Sequence, residues 1–266
     1  MTVMLEILNL SKTFSQSGAL FKSKAVNATK AIDDLSFAIL RGESFGLVGE
    51  SGSGKSTVAN SIMGLVNPDE GQILFEGQDL LQMSQNERRT IYQDMQMVFQ
   101  DPYSTLDPKK TIGWSIMEPL TIHNLGTKEE RKERVIQALY DVELDETYYT
   151  RYPHELSGGQ RQRIAIASTI ILKPKFLIID EGVSSLDVSI QAAILNLLND
   201  LKEKYALTYL FISHDLNVIE YFCDRIAVMH HGKLVEVFNA IDEDKIEHQP
   251  YTQKLFDAIP PIYLNK

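Results

Sequence analysis

Short runs of consecutive apolar residues alternate along this chain with stretches whose apolar residues recur every three or four positions. Residues 3–10 predict an opening strand, and Leu35-Ser36-Phe37-Ala38-Ile39 alternates as a half-buried strand does. Residues 44–48 are strand-like, 58–65 carry a helical apolar spacing, and 72–75 and 95–100 predict further short strands. Residues 176–179 and 208–212 are apolar throughout, as strands of a sheet covered on both faces require. Helical patterns occupy 158–172, 191–204 and 216–222, and residues 225–229 with 233–237 predict a hairpin about His231-Gly232. The segment 15–30 is small, polar and basic, a surface loop by composition. Residues 101–158 depart from the alternation: helical stretches such as 128–140 are broken by Pro and Gly, with no clear strand. The pattern predicts an α/β fold carrying a helical insertion.

Three junctions in this pattern carry chemistry. Gly49-Glu50-Ser51-Gly52-Ser53-Gly54-Lys55-Ser56-Thr57 stands between a strand and a helix and fits Gly-x-x-x-x-Gly-Lys-Ser. In that setting the backbone N–H groups of Ser51 to Lys55 turn inward on a polyphosphate, with the positive end of the helix dipole behind them. Gly52 and Gly54 permit the close approach, Lys55 reaches the β- and γ-phosphates, and the Ser56 hydroxyl serves Mg²⁺. A plain Gly/Ser connector is the alternative, and the flanking strand and helix disfavour it. The strand at 176–179 delivers Asp180 and Glu181 at its C-terminal end, the edge where open α/β sheets bind ligands. Asp180 there holds Mg²⁺ through a water, and Glu181 polarises an attacking water. Taken alone, the pair reads equally well as solvated acids. Leu156-Ser157-Gly158-Gly159-Gln160 opens a helix that Ser157 can cap, with glycines that let a phosphate approach its N–H groups. It is a second anion site that the first does not need.

The 266 residues are 44% hydrophobic, and 36 acidic against 26 basic side chains leave a formal charge of −10. Such a surface argues against nucleic acid as the main partner. Cys223 is the only cysteine, which excludes a disulfide framework and a cysteine-rich metal site. No stretch has the build of a signal peptide or the length of a membrane span, so any service to a membrane runs through a partner. His230-His231 reads as an exposed turn, and Ser213-His214-Asp215, adjacent at a strand end, cannot form a hydrolytic relay.

On these motifs the chain resembles the nucleotide-binding subunit of an ABC (ATP-binding cassette) transporter, along nearly its whole length. The resemblance makes Phe14 the aromatic that stacks on adenine, Gln100 the residue that senses Mg²⁺ and water, and Leu156 to Gln160 the signature motif. Ser184-Ser185-Leu186-Asp187 becomes the dimer-contact loop, and His214 the switch histidine that helps hold Glu181 and the water. It implies a P-loop NTPase (RecA-like) core with an antiparallel β subdomain and an inserted α-helical signature subdomain. Residues 1–100 are then the first part of the ATPase core, 101–158 the helical subdomain, 159–240 the second part of the core and 241–266 a short tail. The implied ligands are ATP and Mg²⁺, bound between the phosphate loop of one subunit and the signature of a second, homologous one. The implied partners are membrane permease subunits and, indirectly, a solute-binding protein; the implied place is the cytoplasmic face of the membrane, peripherally.

Gln100-Asp101-Pro102-Tyr103-Ser104-Thr105-Leu106-Asp107-Pro108, Asp187-Val188-Ser189 and Gln249-Pro250-Tyr251-Thr252-Gln253-Lys254-Leu255-Phe256 look like the peptide/nickel importer branch. Peptide uptake is the first expectation and nickel or metallophore uptake the alternative; a soluble, non-transport cassette and a module that holds ATP without hydrolysing it are the rivals. Tyr103 and Leu106 are expected in a groove for a permease helix. One departure stands out: Gly182 follows Glu181 where peptide-importer relatives usually carry proline, leaving the path to the dimer-contact loop less restrained.

Overall fold

A computed structural model describes residues 2–14, 29–99, 106–182 and 187–258. In chain order its elements are β1 (Val3–Phe14), β2 (Thr29–Leu40), β3 (Ser44–Val48), α1 (Lys55–Ile62), β4 (Glu70–Phe75), β5 (Gln78–Asp79) and α2 (Gln85–Asp94). Then come β6 (Met95–Val98), α3 (Ile112–Ile122), α4 (Lys128–Asp141), α5 (Gly158–Ile170), β7 (Phe176–Asp180) and α6 (Val188–Tyr205). The chain closes with β8 (Thr208–Ser213), α7 (Leu216–Phe222), β9 (Arg225–His230), β10 (Lys233–Asn239) and α8 (Pro250–Asp257). Two compact units result: Met1–Arg88 with Leu210–Lys266, and Arg89–Tyr209.

The first unit holds an antiparallel sheet in the order β2-β1-β4-β5. Strict alternation would bury Leu5 and Ile7 and expose Leu10, yet all three are inaccessible to solvent. A register shift between Ile7 and Leu10 re-phases β1, with Asn9 at φ 48° inside it. The Asn9 amide nitrogen donates to Asp34 Oδ1 at 2.9 Å, and its N–H to Ser36 Oγ at 2.8 Å, so the irregularity is hydrogen-bonded. The two strands also reach further into the polar segment than the pattern predicts: Thr13 and Phe14 pair with Lys30 and Thr29.

In the same unit β3 runs parallel to β9, and β9 antiparallel to β10. All five residues of β3 are buried, as its continuous apolar run requires. Gly46 lets α7 approach: a Cβ there would come within 2.7 Å of Ile219 Cγ2 and 3.1 Å of Cys223 Sγ. The hairpin expected about His231-Gly232 is present, with both residues at positive φ, 47° and 81°. Helix α8, which the pattern left as a tail, packs on this hairpin. Tyr251 stacks on His230 with ring centres 3.8 Å apart, and Phe256 on His248 at 5.0 Å.

The second unit pairs β6 with β7 in parallel and surrounds α5 with α3, α4, α6 and β6. Helix α5 is buried at Gln162, Ile164, Ala165, Ile166, Ala167, Thr169 and Ile170, so it is a central element rather than an amphipathic cover. Asp141 ties the ends of α4 and α6 together. Its side chain is 3% exposed and accepts from Lys204 Nζ at 2.6 Å, from the Tyr205 hydroxyl and from Gln137 at 2.7 Å. Burial alone would push this carboxyl up; the three hydrogen bonds outweigh it and hold the group below the usual aspartate range.

Candidate nucleotide site

In the first unit, β3 ends at Val48 and the chain folds back on itself before α1. The Ser53 N–H donates to Glu50 O at 3.1 Å, closing the turn. The Lys55 side chain curls into the bowl so formed, 4% exposed, with Nζ donating to Gly49 O at 2.7 Å, Glu50 O at 2.9 Å and Ser53 Oγ at 3.3 Å. A buried ammonium needs such oxygens, and it places one positive charge under the loop. Gly54 is the N-cap of α1 at φ 108° and, as a glycine, makes no side-chain cap bond. A helix N-terminus with a glycine cap presents backbone N–H groups and the positive end of its dipole, which favour an anion.

The loop is shaped from outside by backbone. A Cβ on Gly54 would lie 2.1 Å from Ala31 O, and one on Gly49 2.2 Å from Met229 O. The Gly232 N–H, at the tip of the hairpin, donates to Ser53 O at 2.9 Å, and Gly232 O accepts from the Asp33 N–H at 2.9 Å. Strand β2, the hairpin and the loop therefore form one hydrogen-bonded chain. Glu50, Ser51, Gly52 and Ser56 lie on its open side, exposed, and Thr57 is half-buried.

Phe14 ends β1 44% exposed, with Lys12 Nζ 5.6 Å from the ring centre. His214 follows β8, the neighbour of β3 in the strand order, and is exposed. Its neighbours have other tasks: Ser213 Oγ accepts from the Asp215 N–H at 2.9 Å, and Asp215 caps α7 through the Asn217 N–H at 3.0 Å.

In the second unit, Asp180 closes β7 with 7% of its surface exposed. Glu181 stands just beyond at φ 48°, a left-handed backbone that a side chain seldom adopts. Asp180 is buried and Glu181 half-buried, so the two successive side chains differ in their access to solvent. Gly182 is buried, and a Cβ there would meet Gln162 Nε2 and Ile179 Cγ2 at 3.1 Å each. Ser157 caps α5 in a full capping box with Gln160. Ser157 is exposed, Gly158 and Gln160 are half-buried, and Gly159 is buried, its Cα facing Ile190 Cγ2, which a Cβ would meet at 2.8 Å. Gln100, Tyr103 and residues 184–186 lie outside the described residues. Leu106 is buried.

Residues 32–184 match the family model described as ABC transporter. The chain belongs to the ABC transporter family, as its ATP-binding cassette. Its fold is the mixed α/β P-loop NTPase core of such cassettes. The oligopeptide transport ATP-binding protein AppF of Bacillus subtilis is 46% identical over 257 residues, 96% of this chain and 78% of AppF. OppF of the same organism, likewise named an oligopeptide transport ATP-binding protein, is 49% identical over 233 residues, 87% of this chain and 76% of OppF. Among solved structures, the ATP-binding cassette MJ0796, as a dimer bound to ADP and Pi in a post-hydrolysis state, superposes with a TM-score of 0.77 at 30% identity. It covers 89% of this chain and 99% of that one. The present cassette is an ATPase of this type. No helix among its described residues is long and apolar enough to cross a membrane. None of its described His, Cys, Asp and Glu residues form a group of three that could hold a metal ion.

Proposed function

We propose that this cassette hydrolyses MgATP at a head-to-tail interface with a second cassette and thereby powers the uptake of peptides through a membrane permease. The observation that carries the reading is the pair of differently built helix N-termini in one chain: a glycine-capped one over a buried lysine, and a serine-capped one that offers a hydroxyl. Two such ends serve one triphosphate when contributed by two subunits. The names of AppF and OppF favour peptides over nickel as cargo.

In this reading Lys55 neutralises the β- and γ-phosphates, and of the amides expected to cradle them, Ser51 to Lys55, that of Ser53 is instead taken by Glu50 O. The donor set of hydroxyl, amide oxygen and carboxylate on Ser56, Gln100 and Asp180 suits a hard cation that keeps phosphate and water ligands. Magnesium, when bound, supplies charge neutralisation at the phosphate oxygens. Glu181 takes the proton of the attacking water as its oxygen bonds to the γ-phosphorus and the bond to the bridging oxygen breaks. His214 steadies Glu181 and the phosphate side of the site. Ser157, Gly158, Gly159 and Gln160 face the ATP of the partner, and Phe14 stacks on the adenine. By role, residues 1–100 and 159–240 make the ATPase core, 101–158 the permease-facing and signature segment and 241–266 the tail, on a peripheral protein at the cytoplasmic membrane face.

Glu181→Gln tests the central assignment. ATP turnover is expected to fall by about 10² to 10⁴, while ATP binding, read by calorimetry, persists. Unchanged turnover would remove Glu181 as the base.

A further inference from the structure

The helix that opens at Ser157 is held from outside itself. Within its capping box, Ser157 Oγ accepts from the Gln160 N–H at 3.3 Å, and Gln160 Oε1 accepts from the Ser157 N–H at 2.9 Å. The Ser157 N–H can only donate, so the Gln160 amide has a single orientation, with Nε2 turned away from the helix end. There Nε2 donates to the phenol oxygen of Tyr148 at 2.8 Å.

Tyr148 lies in a 3-10 turn, Glu146–Thr150, with anchors of its own. Asp145 caps the turn through the Thr147 N–H at 2.8 Å. The Arg151 guanidinium lies 4.0 Å from the centre of the Tyr148 ring, and Arg151 O accepts from the Ile112 N–H at 2.8 Å, at the start of α3. Tyr149 packs against Gly113 of α3, where a Cβ would come within 2.5 Å of the ring. Successive residues of a 3-10 turn point about 120° apart. One tyrosine therefore seats the turn on α3 while the other reaches the signature.

We propose that Tyr148 is a positioning residue for the signature motif, pinning the Gln160 amide so that the Ser157 hydroxyl and the first amides of α5 hold one geometry toward a partner-bound phosphate. A glutamine side chain has three soft torsions; fixed at both ends of its amide it loses them before the nucleotide arrives, and the partner's phosphate meets a preformed site. The inference rests on the head-to-tail reading and adds a directional consequence. Tyr148 acts on the partner's ATP and not on that of its own subunit.

The test is Tyr148→Phe in the full chain, which keeps the ring, its contact with Arg151 and the packing of the turn. Amide hydrogen exchange at Ser157 and Gln160 is expected to quicken about three- to tenfold, the factor for one hydrogen bond. The subunit concentration giving half-maximal ATPase rises by a similar factor, while the isolated subunit binds ATP as before. Mixing with an excess of Glu181→Gln subunits separates the two directions. Tyr148→Phe lowers turnover when carried by the Glu181→Gln subunit and leaves it intact when carried by the subunit that keeps Glu181. Equal loss in both arrangements, weakened ATP binding by the isolated subunit, or unchanged exchange and concentration dependence would each overturn the proposal. A wild-type rate strictly linear in concentration would instead overturn the head-to-tail reading, and exchange at Ser157 then decides Tyr148 alone.

Discussion

Helices α1 and α5 each offer an N-terminus suited to phosphate, and they are made in opposite ways. At α1 the cap is a glycine at φ 108° with no side-chain bond, and the shape comes from backbone pressing on backbone: Ala31 O behind Gly54, Met229 O behind Gly49. At α5 the cap is a serine locked to a glutamine by two reciprocal hydrogen bonds, and the shape comes from side chains. A loop pressed by backbone tolerates no Cβ at Gly49 or Gly54. A terminus built from side chains satisfies itself and can be adjusted one hydrogen bond at a time. The first suits a site that must hold its nucleotide alone; the second suits a wall that is presented to another subunit.

Three perturbations bear on this contrast, taken from the largest expected effect to the smallest. Gly54→Ala places a Cβ 2.1 Å from Ala31 O on a backbone at φ 108°. The left-handed backbone alone costs about 1 kcal/mol or more, and the clash adds to it. Nucleotide binding should be lost together with several degrees of Tm; normal ATP affinity would mean the loop is not shaped by β2.

Asp141→Asn comes next and probes the side-chain-built unit. The lowered carboxyl means that its stabilisation is complete above the unfolded aspartate value, about 3.9, and is lost as pH falls through the still lower folded value. Removing the charge should cost about 1.5–3 kcal/mol at neutral pH and flatten the acid limb of stability in denaturant titrations. An unchanged acid limb would show that the α4–α6 tie is not ionic. Ser157→Ala should remove about 1 kcal/mol of helix capping, seen as a small fall in Tm, with ATP affinity of the isolated subunit unaltered. A large loss of that affinity would break the division of labour between the two termini.

The alternation of apolar runs was enough to locate β3, β7, β8, α7 and the hairpin, because each is buried or turned by residues whose preference is local. The turn between β3 and α1 and the serine-capped start of α5 were legible for the same reason, being contiguous. Helix α2 was not, since none of its residues is buried and its sequence carries no apolar stripe. Helix α8 was missed because Pro250 and the polar residues beside it read as tail, whereas its hold on the hairpin comes from rings distant in sequence. The left-handed turn at Glu181 has no signal in an acidic residue type, and the Tyr148–Gln160 bond joins residues that no periodicity relates. Twin tyrosines after a capping aspartate were the one available hint.

The bond from Gly232 to Ser53 reaches further than its 2.9 Å. Its two residues stand about two thirds of the chain apart, so during synthesis the loop leaves the ribosome long before the strand that closes it. Closing a contact of this separation costs loop entropy that a local turn does not. The loop's own bonds, from Lys55 to Gly49 and Glu50, join near neighbours, whereas its tie to the hairpin must wait for residues made much later.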